Sequence, residues 1–117
     1  MTFELPRDKH APAVARAALG GFEAALDTER YDATRLLVSE LVTNAVKYGG
    51  EGPVRMEVTA AGERLRAEVI DQGTGFVAEE RVSGQEGGFG LPLVEHLADR
   101  WGAFEGSTHV WFELDLR

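Results

Sequence analysis

At 117 residues the chain has room for one domain with a core of its own, but not for two. Its composition, 44% hydrophobic and 27% charged, is that of a globular protein, and the lack of cysteine excludes a disulfide framework and a thiolate metal site. A formal net charge of −8, with the cationic residues scattered, excludes broad contact with a nucleic-acid backbone.

Any polyanionic ligand must therefore be held by local devices: backbone amides, a helix terminus, a metal ion or one well-placed cation. No apolar run approaches the roughly 18 residues of a membrane span, and MTFELPRDKH lacks the apolar stretch of a signal peptide. The expectation is a single cytoplasmic domain over residues 1–117, with no nucleic-acid or membrane partner.

TFELP alternates Phe3 and Leu5 with polar neighbours and is closed by Pro6, which predicts a short edge strand. The spacing predicts a helix from Asp8 to Leu26, with Pro12 near its start and Val14, Ala17, Ala18, Phe22, Ala25 and Leu26 on its apolar side. After the polar connection DTERYD, Asp32 is the expected N-cap of a second helix from about Ala33 to Tyr48, which Gly49 and Gly50 stop.

Val54, Met56 and Val58 alternate with Arg55, Glu57 and Thr59. After a turn at Ala61-Gly62, Leu65, Ala67 and Val69 alternate with Arg64, Arg66 and Glu68. That pattern is a hairpin with one buried face. Residues 72–90 hold much of the glycine and read as loop. A third helix is predicted from Leu91 to Trp101, stopped by Gly102, before STHVWFELDL returns to strand alternation. One-sided strands with three amphipathic helices predict an α+β, two-layer sandwich: a mostly antiparallel sheet covered on one face by helices. Trp101 and Trp111 both fall where packing, not base stacking, is expected.

The second helix carries an unusual stripe. Val38, Leu41, Val42, Ala45 and Val46 fill its apolar arc, and Glu40, Thr43, Asn44 and Lys47 fill the complementary one. A solvated face accounts for the stripe, but Asn is a poor residue inside a helix. An amide oxygen is a hard ligand for Mg²⁺, and a glutamate one turn earlier can accept a proton or orient a water.

VIDQGTGF ends an apolar strand in Asp71 and follows it with Gly73 and Gly75. Asp71 either caps its own turn or accepts a hydrogen bond from an exocyclic amine, the feature that separates adenine from guanine. EGGFGLPLVEHLADRWG places Gly87, Gly88 and Gly90 directly before a helix, either as a plain loop or as a phosphate cradle of backbone amides. Neither a Walker loop nor a dinucleotide fingerprint is present.

Taken in order, ELVTNAVKYGG, DQGTGF, GGFGLPLVEHLADRWG and HVWFEL resemble the histidine kinase-like (GHKL) ATPase superfamily, nearest to its bacterial anti-sigma-factor serine kinases. The resemblance covers nearly the whole chain and implies the Bergerat fold. It implies Glu40 as general base and Asn44 as the ligand of a Mg²⁺ that bridges the nucleotide phosphates. Lys47 would approach those phosphates, and Asp71 would recognise the adenine amine. Gly73 and Gly75 would shape the base pocket, and Gly88, Gly90 and Leu91 would lie beside the phosphates, with Val77 to Gly87 as a short ATP lid. The cofactors implied are ATP and Mg²⁺. The partners implied are an anti-anti-sigma protein of the STAS type, phosphorylated on serine, a sigma factor that is sequestered, and a second copy in a homodimer.

Two positions depart from the branch: Tyr48 stands where histidine is frequent, and His109 where threonine is frequent. They motivate an alternative, an ATP-gated binding module of the same fold without significant kinase activity. A catalytic domain detached from a histidine kinase is a third reading. It needs a phosphoacceptor on a dimerisation helix, a role for which His10, His96 and His109 are all badly placed.

Overall fold

The computed structural model of the chain describes residues 1–48, 52–71, 80–82, 91–104 and 109–116. Six strands form one sheet in the order β1-β2-β3-β6-β5-β4, and every pairing is antiparallel. These are β1 (Thr2–Leu5), β2 (Val54–Ala61), β3 (Arg64–Asp71), β4 (Glu80–Val82), β5 (Arg100–Phe104) and β6 (Val110–Asp115). The helices are α1 (Ala11–Ala18), α2 (Thr28–Tyr48) and α3 (Leu91–Leu97), with a 3₁₀ segment over Leu19–Ala25. This is the expected α+β arrangement, with β1 at one edge.

Alternation decides which side of the sheet is covered. Val54, Met56 and Val58 of β2, Leu65, Ala67 and Val69 of β3, and Val110, Phe112 and Leu114 of β6 are buried in one core with Leu37, Val38, Leu41, Val42 and Ala45 of α2. Register keeps them in rows: Met56 opposite Val69, Ala67 opposite Phe112, Leu65 opposite Leu114. A one-residue slip would turn every one of these side chains to the wrong face, so the core itself sets the pairing. The β2–β3 turn has Gly62 at φ +61°, a conformation open to glycine without a Cβ clash. No helix among the described residues is long and apolar enough to cross a membrane.

Four boundaries differ from the sequence-based expectation, each for a local reason. The first helix stops at Ala18 and tightens into 3₁₀ geometry through Gly20 and Gly21, and its buried residues are Ala11 and Ala15, while Val14 is exposed. The second helix starts at Thr28, not Ala33. Asp27 is the cap: its Oδ1 accepts the Arg30 amide at 2.8 Å, the N-cap-to-N3 bond. The third helix ends at Leu97, and Trp101 belongs to β5, where it pairs with Phe112 and is buried. Within the segment read as loop, Glu80–Val82 forms β4 against β5.

Candidate functional site

A 21-residue α2 carries the polar stripe, so residues at steps of four and three share one face along it. That face is not simply solvated. Lys47 is exposed and Glu40 half-buried, but Asn44 is buried with 9% of its surface accessible. Among the described residues no buried polar side-chain atom lacks a hydrogen-bond partner. A carboxamide withdrawn from water on an otherwise amphipathic helix is held for something other than solubility.

Asp71 ends β3, and the register places it in one row with Val54 of β2 and Leu5 of β1. Two residues beyond Leu5, after Pro6 has ended the strand, stands Arg7. Its guanidinium reaches back along the end of the sheet and donates three bonds: Nη2 to Asp71 Oδ1 at 2.6 Å, Nη1 to the Ala45 carbonyl at 2.5 Å, and Nε to the Gly52 carbonyl at 2.7 Å. The ion pair is largely buried, with side-chain accessibilities of 17% for Arg7 and 7% for Asp71.

Ala45 adjoins Asn44 in the last turn of α2, where a cation is also favoured by the helix dipole. One planar fork therefore joins the carboxylate at the end of β3 to the end of the helix that carries Glu40, Asn44 and Lys47.

The sequence reading did not single out Arg7. Its partners lie 38, 45 and 64 residues away, so no local pattern marks it, and the only hint is its position just after the proline that ends β1. Gly73, Gly75, Gly88 and Gly90 lie outside the described residues. Leu91 opens α3.

For a divalent cation, Asn44 could supply a hard amide oxygen from a buried position, a donor chemistry that fits Mg²⁺. Among the described residues no group of three or more His, Asp or Glu is arranged so that it could hold a metal ion. A Mg²⁺ ion at Asn44 would thus take most of its oxygens from phosphate and water, as Mg²⁺ commonly does.

The opposite face of the sheet is a network of charges. Glu113 accepts from Arg100 at 2.8 Å and from Arg66 at 3.3 Å, and Arg66 also lies over the Trp111 ring, 4.3 Å from its centroid. His109 meets Glu68 on this face, and Trp101, on the core side, is bonded to Glu95.

A six-stranded antiparallel sheet under three helices, with the polar helix face at one end of the sheet beside a strand-terminal aspartate, defines a class of nucleotide-binding domain. The family model of the histidine kinase-like ATPase domain matches residues 5–113, and the chain belongs to that family. It is similar to serine-protein kinase RsbW of Listeria monocytogenes serovar 1/2a, 30% identical over 118 aligned positions that cover 85% of this chain and 75% of that protein. RsbW of Listeria innocua serovar 6a is similar to the same degree. Sensor histidine kinase AruS of Pseudomonas aeruginosa is 36% identical over 110 positions, covering 70% of this chain but 11% of that much longer protein.

Proposed function

We propose that this chain is an ATP-dependent serine kinase that phosphorylates an anti-anti-sigma partner of the STAS type and alternatively sequesters a sigma factor, acting as a homodimer. The observation that carries the reading is the Arg7 fork. It fastens a nearly buried strand-end carboxylate, suited to the exocyclic amine of adenine, to the helix end whose buried Asn44 suits the Mg²⁺ that accompanies the phosphates. The relatives named RsbW support the protein-kinase activity.

In this reading Asp71 accepts the adenine amine, and Gly73 and Gly75 let the backbone approach the base. Lys47, exposed at the end of α2, reaches toward the triphosphate, and Gly88, Gly90 and Leu91 offer backbone amides to it. Mg²⁺ at Asn44, when bound, neutralises phosphate charge and aligns the terminal phosphoryl group for in-line attack.

Glu40 takes the proton from the serine hydroxyl of the partner as its oxygen bonds to the γ-phosphorus. The bond from that phosphorus to the β–γ bridging oxygen breaks, and ADP leaves with the electron pair. The half-buried position of Glu40 on the stripe, one turn before Asn44, is compatible with that role.

The test is transfer of label from γ-labelled ATP to a serine of a STAS-type partner. Label on that serine, lost when the serine is replaced by alanine, is the expected result. Nucleotide binding without transfer to any cognate partner would instead establish the ATP-gated module.

A further inference from the structure

We infer that Arg7 is a positioning residue for purine recognition, holding the Asp71 carboxylate in one orientation and tying it to the end of α2, so that base selectivity depends on a residue outside the nucleotide pocket. The inference rests on the reading of Asp71 as the base-recognising group.

The terminal torsion of an aspartate is broad, so an untethered carboxylate presents its oxygens over a wide range of angles. Bonding Oδ1 to a guanidinium at 2.6 Å restrains that torsion and narrows the range of angles over which the carboxylate can accept. Burial shields this tether from the solvent screening that weakens a surface pair. Exposed ion pairs contribute little, whereas here the carboxylate side chain is only 7% accessible.

The guanidinium is itself pinned by the other two bonds, to the Ala45 and Gly52 carbonyls, so it is a fixed support for Asp71. Gly52 offers its carbonyl from φ +84°, a conformation that disfavours any side chain. Three separate segments thus converge on one side chain: the strand that carries Asp71, the helix that carries Asn44, and the connection into β2. A lysine could not replace it, having a single nitrogen where three acceptors are spread around a planar fork.

A merely structural arginine and a positioning one make different predictions. Loss of packing weakens every nucleotide alike. Loss of carboxylate orientation weakens only the nucleotide whose base donates to Asp71, because a guanine presents an oxygen there.

The experiment is calorimetric titration of Mg-ATP and Mg-GTP into the full chain, comparing wild type, Arg7→Gln, Arg7→Lys, Asp71→Asn and the Arg7→Gln/Asp71→Asn double variant. We expect both Arg7 variants to shrink the ATP-to-GTP affinity ratio by about tenfold, with GTP affinity nearly unchanged. In the Asp71→Asn background, the Arg7 substitution should change the ratio no further.

An unchanged ratio in the Arg7 variants, or an equal loss for ATP and GTP, would overturn the inference while leaving the Asp71 reading intact, provided Asp71→Asn alone collapses the ratio. If Asp71→Asn leaves the ratio as it was, the reading of Asp71 fails and the inference with it. Should Arg7→Gln not fold, Arg7→Lys, which keeps a cation against Asp71, is judged by the same ratio.

Discussion

Trp111 lies directly over Gly102: a Cβ added to Gly102 would stand 2.6 Å from the indole Nε1 and 2.8 Å from Cε2. The two residues face each other across the β5–β6 pairing on the outer side of the sheet, where Arg66 also lies over the indole ring. Glycine is needed here for lack of a side chain, so that an aromatic ring can rest on the neighbouring strand. Gly102→Ala should cost about 1–3 kcal/mol in urea unfolding, as overpacking does. Gly102→Ala combined with Trp111→Leu should recover part of that loss, and a wild-type midpoint for the single variant would contradict the contact.

Asp27 caps the helix that carries the candidate site. The Arg30 backbone hydrogen bond is the main force holding its carboxyl below the ordinary 3.8. Asp27→Ala leaves that amide without its acceptor and should lower the melting temperature by several degrees, while Asp27→Asn, which still accepts the bond, should lower it much less. Equal effects would mean that the cap is not what Asp27 contributes.

The charges on the outer sheet face give an acid-sensitive term. Burial pushes the Glu113 carboxyl up, but hydrogen bonds from Arg100 and Arg66 and the charges of Arg64 and Arg66 outweigh it, leaving the group below its ordinary 4.5. Asp115 is held below 3.8, chiefly by its hydrogen bond from Arg100. Both folded-state values lie under the unfolded ones, so the unfolded chain binds more protons across this range. The contribution is therefore fully present above the ordinary carboxyl values and is lost as pH falls through the folded ones. The melting-temperature gap between wild type and Glu113→Gln/Asp115→Asn should close as pH drops from about 5 toward 3. A gap that does not vary with pH would contradict this linkage.

Much of this molecule is legible in its sequence because alternation and helical spacing are local signals. Val54, Met56 and Val58, or Leu65, Ala67 and Val69, announce a buried face without any knowledge of their partners, and the sheet bears them out. Boundaries are harder: Asp32 is the cap the sequence suggests, but Asp27, in the stretch that reads as a polar connection, takes that place by accepting the amide of Arg30. The Leu91–Trp101 periodicity fits a helix throughout, but Trp101 is buried in the sheet, paired with Phe112.

Of the proposed site, the stripe on α2 and Asp71 were visible as patterns, whereas the burial of Asn44 was not. Arg7 was invisible because all its bonds are long-range. Gly73, Gly75, Gly88 and Gly90 lie outside the described residues.

Glu40 and Asn44 should separate by the step that each affects. Glu40→Gln should bind Mg-ATP within about threefold of wild type but lose about 10²–10⁴-fold in phosphotransfer rate, the usual contribution of a general base. Asn44→Ala should instead weaken nucleotide binding, and only when Mg²⁺ is present. Stopped turnover and filter binding read the two. A Glu40→Gln variant with an unaltered transfer rate would remove that residue from the chemistry.

The most direct measurement is calorimetric titration of the full chain with Mg-ATP and Mg-GTP, alongside Asp71→Asn. An adenine-reading carboxylate predicts clear binding of Mg-ATP, much weaker binding of Mg-GTP, and loss of that preference in the variant. No heat with Mg-ATP, or equal affinity of the wild type for the two nucleotides, would contradict the account.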